Sequence, residues 1–142
     1  MKAPMILDEV EQQLCSFAES HQEIAALFLF GSILTRDTPE DIDIALLVYE
    51  EKVEKADYPL YYRARATIKV ANLLRHDSID LMLMNISSPI ICMQVLRKGK
   101  KIFVRDERKV NQFIVSTFNN YHDLKIVRRP IEHRILEGLI YG

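Results

Sequence analysis

Seven consecutive apolar residues, Ile24 to Phe30, stop at Gly31-Ser32, and after a polar loop the next apolar run opens on two acids one residue apart, Asp41 and Asp43. An unbroken apolar run of this length, closed by a turn signal, reads as a buried strand. In the second run Ile42, Ile44, Leu46 and Val48 alternate with Asp41, Asp43, Ala45 and Leu47, which makes it a strand with both carboxylates side by side on one face at its beginning. Two carboxylates at i and i+2 on one face repel each other unless something cationic lies between them. A divalent cation is the natural candidate.

The remaining elements follow from periodicity. Leu7, Val10, Leu14 and Phe17 recur at helical steps, and Leu60, Ala64, Ile68, Ala71 and Leu74 trace a stripe along a helix spanning Tyr58 to Arg75. Arg63, Arg65, Lys69 and Arg75 occupy much of that helix's other surface and read as a solvated face, with Arg36 and Arg63 as candidates to steer an anion. Ser78 to Asn85 reads as a third strand, whose alternation groups Asp80 with Met82 and Met84. Ser88-Pro89 has the form of an N-cap with proline at the first helical position, and Gly99 falls just past the helix end. Lys101 to Val104 suits a short edge strand, and Glu107 to about Tyr141 two helices interrupted near Pro130. The expected architecture is α/β, a small mixed sheet packed with helices and ending in C-terminal helices, as one domain over residues 1–142.

Charge and cysteine usage exclude several classes of function. With 19 basic and 20 acidic residues the chain carries no bulk field to attract nucleic acid or an anionic membrane, so direct nucleic-acid binding is not expected. Cys15 and Cys92 lack metal-ligand or redox spacing, and no apolar run approaches the ~18 to 20 residues of a membrane span. The expectation is a cytoplasmic protein with free thiols and no membrane association. His21, His76, His122 and His133 have no ligand spacing and read as surface or packing residues.

The three acids and the Gly-Ser turn suggest a specific chemistry. Mg²⁺ takes one or two protein carboxylates and fills its other positions with water and substrate phosphates, and a pair such as Asp41 and Asp43 suits one ion or two. Asp80, from a neighbouring strand, could hold the second metal or accept the proton of an attacking hydroxyl. Gly31 lets the backbone approach a phosphate closely, and Ser32 adds a hydroxyl donor. Together these parts suit metal-assisted phosphoryl transfer from a nucleoside triphosphate, with pyrophosphate as leaving group.

Gly31-Ser32 after an apolar strand, a polar loop, the run "DIDIALLV" and a third acid on a later strand resemble the signature of the nucleotidyltransferase superfamily. The run from Ile79 through Tyr121-His-Asp-Leu-Lys125 extends the likeness to the minimal nucleotidyltransferases, the antitoxin-type partners of HEPN toxins. The spacer of eight residues between Ser32 and Asp41 is shorter than is typical there. The resemblance implies a polymerase-β-like fold, with Asp41, Asp43 and Asp80 catalytic and metal-binding and Gly31 with Ser32 holding phosphate. It also implies ATP as substrate, Mg²⁺, as two ions, as cofactor, and AMP transfer to a tyrosine of a cognate HEPN ribonuclease toxin. Two alternatives stand beside it: a non-catalytic module that masks its partner, and a transferase acting on a small hydroxylated molecule of the aminoglycoside type. Oligomeric state is open, a homo-oligomer included.

Overall fold

The computed structural model describes residues 7–36 and 39–127. Its elements are α1 (Leu7–Glu19), β1 (Ile24–Phe30), β2 (Ile42–Val48), α2 (Leu60–Leu74), β3 (Ile79–Leu83), α3 (Pro89–Lys98), β4 (Lys100–Val104) and α4 (Glu107–Val127). This is the expected order through α4; the helix expected beyond Pro130 lies outside the described residues. The strands pair in the order β3-β2-β1-β4, with β1 antiparallel to both β2 and β4 and β2 parallel to β3. The sheet is thus mixed, with β4 on one edge as its shortness suggests.

Strand β1 is apolar throughout because both its faces are covered. On one face Leu27 and Leu29 join Ile42, Ile44, Leu46, Leu81 and Leu83 beneath Val10, Leu14 and Phe17 of α1 and Tyr62, Ala66 and Val70 of α2. On the other, Ala26, Phe28, Ala45 and Leu47 pack with Cys92 and Val95 of α3 and Val110 of α4. Each fully buried leucine or isoleucine contributes about 1.5–3 kcal/mol of transfer free energy, so this three-layer core is the main favourable term holding the sheet in place.

Local signals set the element ends. The Ser88 hydroxyl accepts from the Ile91 N–H at 3.3 Å, and Pro89 opens α3, as expected. At Gly99 the expectation is right for a different reason: its backbone is ordinary, but an added Cβ would meet the Val95 and Leu29 carbonyl oxygens at 2.5 and 3.0 Å. The last turn of α3 itself, and then the approach of β1, select the glycine there. Strand β3 is shorter than the expected Ser78 to Asn85, because a 3-10 turn at Met84–Ile86 frees Asn85 to pair its side-chain amide with the Val48 N–H and C=O, both at 2.9 Å. Helix α1 has no basic residue in its last turn, yet its end is capped from far along the chain: Arg105 Nη2 donates to the Ala18 carbonyl at 2.7 Å, and Nε to Ile24 at 2.9 Å.

The α2 stripe requires correction. Leu60 and Ile68 are 69% and 60% exposed, and the buried row is Tyr62, Ala66, Val70 and Leu74. Two polar anchors accompany this rotation. Tyr62 Oη donates to Glu23 at 2.8 Å, and Arg63 Nε donates to the Leu81 carbonyl on the outer edge of β3 at 2.8 Å. Alanine at 66 lets the helix approach closely, whereas the Leu60 row carries apolar side chains that the sheet does not reach. Arg63 is therefore committed to the sheet edge rather than belonging to a purely solvated face.

Candidate functional site

The acids occupy one end of the sheet face that α3 and α4 cover. Alternation along β2 places Asp43 on the same side as Ala45 and Leu47, and along β3 places Asp80 with Met82, so both carboxylates belong to this face. The helices close over it from Ala45 onward and leave the near end open, with Asp41 and Asp80 exposed and Asp43 half-buried. In the parallel register Asp43 lies directly beside Asp80, and in the antiparallel register it lies opposite Phe30, the last residue of β1. Asp43 is thus the central member, with Asp41 two residues back on its own strand. Burial, the charge of Asp80 and the charge of Asp41, in that order, push its carboxyl above the usual carboxylate value.

Gly31 borders the same carboxylate. Its φ of +81° lies in the left-handed region, and a Cβ there would collide with Asp43 Oδ2 and stand 3.0 Å from its Cγ. The turn signal at Gly31-Ser32 is a single 3-10 turn, Gly31–Leu34, whose Ser32 carbonyl accepts from the Thr35 and Arg36 N–H groups at 3.0 and 2.8 Å. The turn brings Ser32 beside the acids because β1 ends directly opposite Asp43.

All five sequence-predicted residues therefore gather at one end of β1, β2 and β3. The site has a sixth member that the sequence did not mark, Ser78, whose hydroxyl donates to Asp41 Oδ1. It became visible only with the parallel register of β3, which no local pattern encodes. The acids form an open shelf: hollows of about 840 and 320 Å³ exist on the molecule, but they line α4 and the far ends of β2 and β3 and include none of these residues.

Among the described residues no three His, Cys, Asp or Glu side chains converge into a ready-made metal cage. The donor set nevertheless suits Mg²⁺, which needs only one or two carboxylates when water and phosphate complete its shell. Asp43 is raised first by burial and then by the charges of Asp80 and Asp41, and a hard cation would offset the charge part.

A sheet of this topology, carrying Gly-Ser at the end of one strand and paired acids on the next, belongs to a known class. The chain is a member of the Polymerase beta, Nucleotidyltransferase family, whose model matches residues 12–108. Within that class the fold matches toxin–antitoxin structures. One, a toxin–antitoxin with AMP-PNP, is 25% identical over 89% of this chain and 98% of its own, with a TM-score of 0.69. A second, a tri-AMPylated Shewanella oneidensis HEPN toxin in complex with MNT antitoxin, is 23% identical over 92% and 99%, also at 0.69. The toxin–antitoxin MntA-HepT is 22% identical over 91% and 98%, at 0.67. No curated protein matches the sequence significantly. No helix among the described residues is long and apolar enough to cross a membrane.

Proposed function

We propose that this chain transfers AMP from ATP to a hydroxyl of a protein acceptor, a tyrosine of a HEPN-type partner, and thereby acts as an antitoxin by modification. The observation that carries the reading is Asp43 held between Asp41 and Asp80 with Gly31 against its carboxylate, on a nucleotidyltransferase fold. Adenine and the HEPN partner rest on the similar structures with AMP-PNP and with an AMPylated HEPN toxin.

Asp41 and Asp43 would hold Mg²⁺, with Asp80 completing the set; when bound, the metal offsets phosphate charge and polarises the phosphorus under attack. Gly31, lacking a Cβ, leaves room for the Asp43 carboxylate against the turn, and the Ser32 hydroxyl would donate to a phosphate oxygen. Asp80, exposed on the open side, takes the proton as the tyrosine oxygen bonds to the α-phosphorus. The bond from that phosphorus to its bridging oxygen breaks, and pyrophosphate leaves. The exposure of Asp80 and Asp41 among the described residues suits an acceptor that is itself a folded protein.

The test is label transfer, with the purified chain, Mg²⁺ and an extract of its source supplied with ATP labelled at either the α- or the γ-phosphate. A protein band labelled from α, not from γ, and missing with Asp43→Asn is the expected result. No labelled band with any nucleotide, while the partner still co-purifies with both wild type and Asp43→Asn, would show that the chain works by masking.

A further inference from the structure

The turn that leads into β3 does more than join two elements. We infer that Ser78 is a positioning residue that sets the orientation of the Asp41 carboxylate for metal, an inference that rests on the metal-binding reading of Asp41 above.

All three polar groups of Ser78 are engaged. Its carbonyl accepts from the Ile42 N–H at 3.0 Å, its own N–H donates to His76 Nδ1 at 3.2 Å, and its hydroxyl donates to Asp41 Oδ1. His76 is itself buried, 7% exposed, and its backbone N–H donates to the Ala71 carbonyl at the end of α2 at 3.2 Å. The turn is thus held from two sides, by His76 behind it and by Asp41 and Ile42 at the start of β2.

Strand pairing does not need the hydroxyl. The parallel ladder runs from Ile42 beside Ile79 to Leu46 beside Leu83, and the Ile42 to Ser78 backbone bond already extends it by one residue. What the hydroxyl changes is Asp41. That residue precedes β2, is exposed, and has a carboxylate otherwise free to choose among rotamers. With Oδ1 held from the β3 side, Oδ2 remains to face a cation. Carboxylates that bind metal are commonly held by such outer hydrogen bonds, and removing one typically lowers metal affinity about 10–100-fold.

The experiment measures Mn²⁺ binding by the electron paramagnetic resonance signal of the free ion, with wild type, Ser78→Ala, Ser78→Thr and Asp41→Asn, alongside the Mg²⁺ dependence of label transfer. Ser78→Ala is expected to weaken Mn²⁺ binding about 10-fold or more and to raise the half-saturating Mg²⁺ in parallel. Its rate should recover at high metal and its melting temperature should stay near wild type. Ser78→Thr, which keeps the hydroxyl, is expected to behave as wild type. Ser78→Ala binding Mn²⁺ like wild type while Asp41→Asn does not would overturn the positioning role and leave the metal site standing. A loss of rate equal at all metal concentrations would overturn it as well. Wild type and Asp41→Asn binding Mn²⁺ alike would overturn the metal reading of Asp41, and the role of Ser78 with it.

Discussion

Gly31 and the Asp43 carboxylate share a space that admits no further atom: a Cβ on Gly31 would overlap Oδ2 of Asp43 and stand 3.0 Å from its Cγ. The glycine is required twice, once for its φ of +81° and once for this approach. Gly31→Ala should therefore cost about 1–2 kcal/mol of stability from the backbone alone. It should also push the carboxylate aside, and a displacement of about 1 Å in such a site lowers rate by about 10²-fold. Urea denaturation and label-transfer rates would check the two effects; a variant of wild-type activity would mean that Asp43 has freedom to yield.

Asp43→Asn should separate stability from activity. In the metal-free protein, burial and the charges of Asp80 and Asp41 hold the Asp43 proton more tightly than in the unfolded chain, where the usual value is 3.8. Between that value and the raised one the folded state binds more protons, so this group's contribution to stability falls as pH rises and stays lowered at neutral pH. Replacing the carboxylate with an amide removes that penalty. In chelator at neutral pH, Asp43→Asn is expected to melt higher than wild type, with the difference shrinking as pH falls toward 4. The variant should show no transfer activity. Equal melting temperatures across that range would show that neither burial nor the neighbouring charges raise Asp43.

Much of this site was legible in the sequence because its members lie at the ends of locally readable elements. The apolar run Ile24–Phe30, the alternation from Asp41 and the alternation around Asp80 each specify a strand and a face without reference to the rest of the chain. Ser78 was not legible, since its role depends on which strand lies beside β2 and in what register. The buried face of α2 was not legible for a related reason. Leu60, Ala64, Ile68 and Ala71 have the right period, but so do Tyr62, Ala66, Val70 and Leu74, and the choice was made by Glu23 and Leu81, remote partners of Tyr62 and Arg63. Period identifies a helix; it does not say which of two apolar rows meets the sheet.

Arg105 should be among the costly polar residues to remove. Its guanidinium donates to the Ala18, Glu19 and His21 carbonyls from Nη2 at 2.7, 3.3 and 3.3 Å and to Ile24 from Nε at 2.9 Å, and it stacks over the Phe103 ring at 5.0 Å. It thereby serves carbonyls in the last turn of α1 and just beyond it, and favours the negative end of that helix. Hydrogen bonds to charged groups contribute about 1.5–3 kcal/mol each, with much overlap within one fork, so Arg105→Ala should cost about 2–3 kcal/mol. Arg105→Lys should recover less than half, because an ammonium is a point charge without the planar fork. Denaturation midpoints at unchanged m-value would establish this; equal stability for Lys and Arg would make the interaction one of charge alone.

The two apolar rows of α2 make opposite predictions for substitutions two residues apart. Ile68 is 60% exposed, so Ile68→Gln removes little buried area and should change stability by less than about 0.5 kcal/mol. Val70 is fully buried among the core residues, and Val70→Ala deletes two methyl groups where the sheet and α1 leave little room to collapse, for a loss of about 2 kcal/mol. The comparison is informative because the residues are similar in size and share one helix, so propensity alone would rank the substitutions closely. If Ile68→Gln were instead the more damaging in the isolated chain, the exposed row would have to be covered there, as in a self-associated form that analytical ultracentrifugation of wild type would reveal.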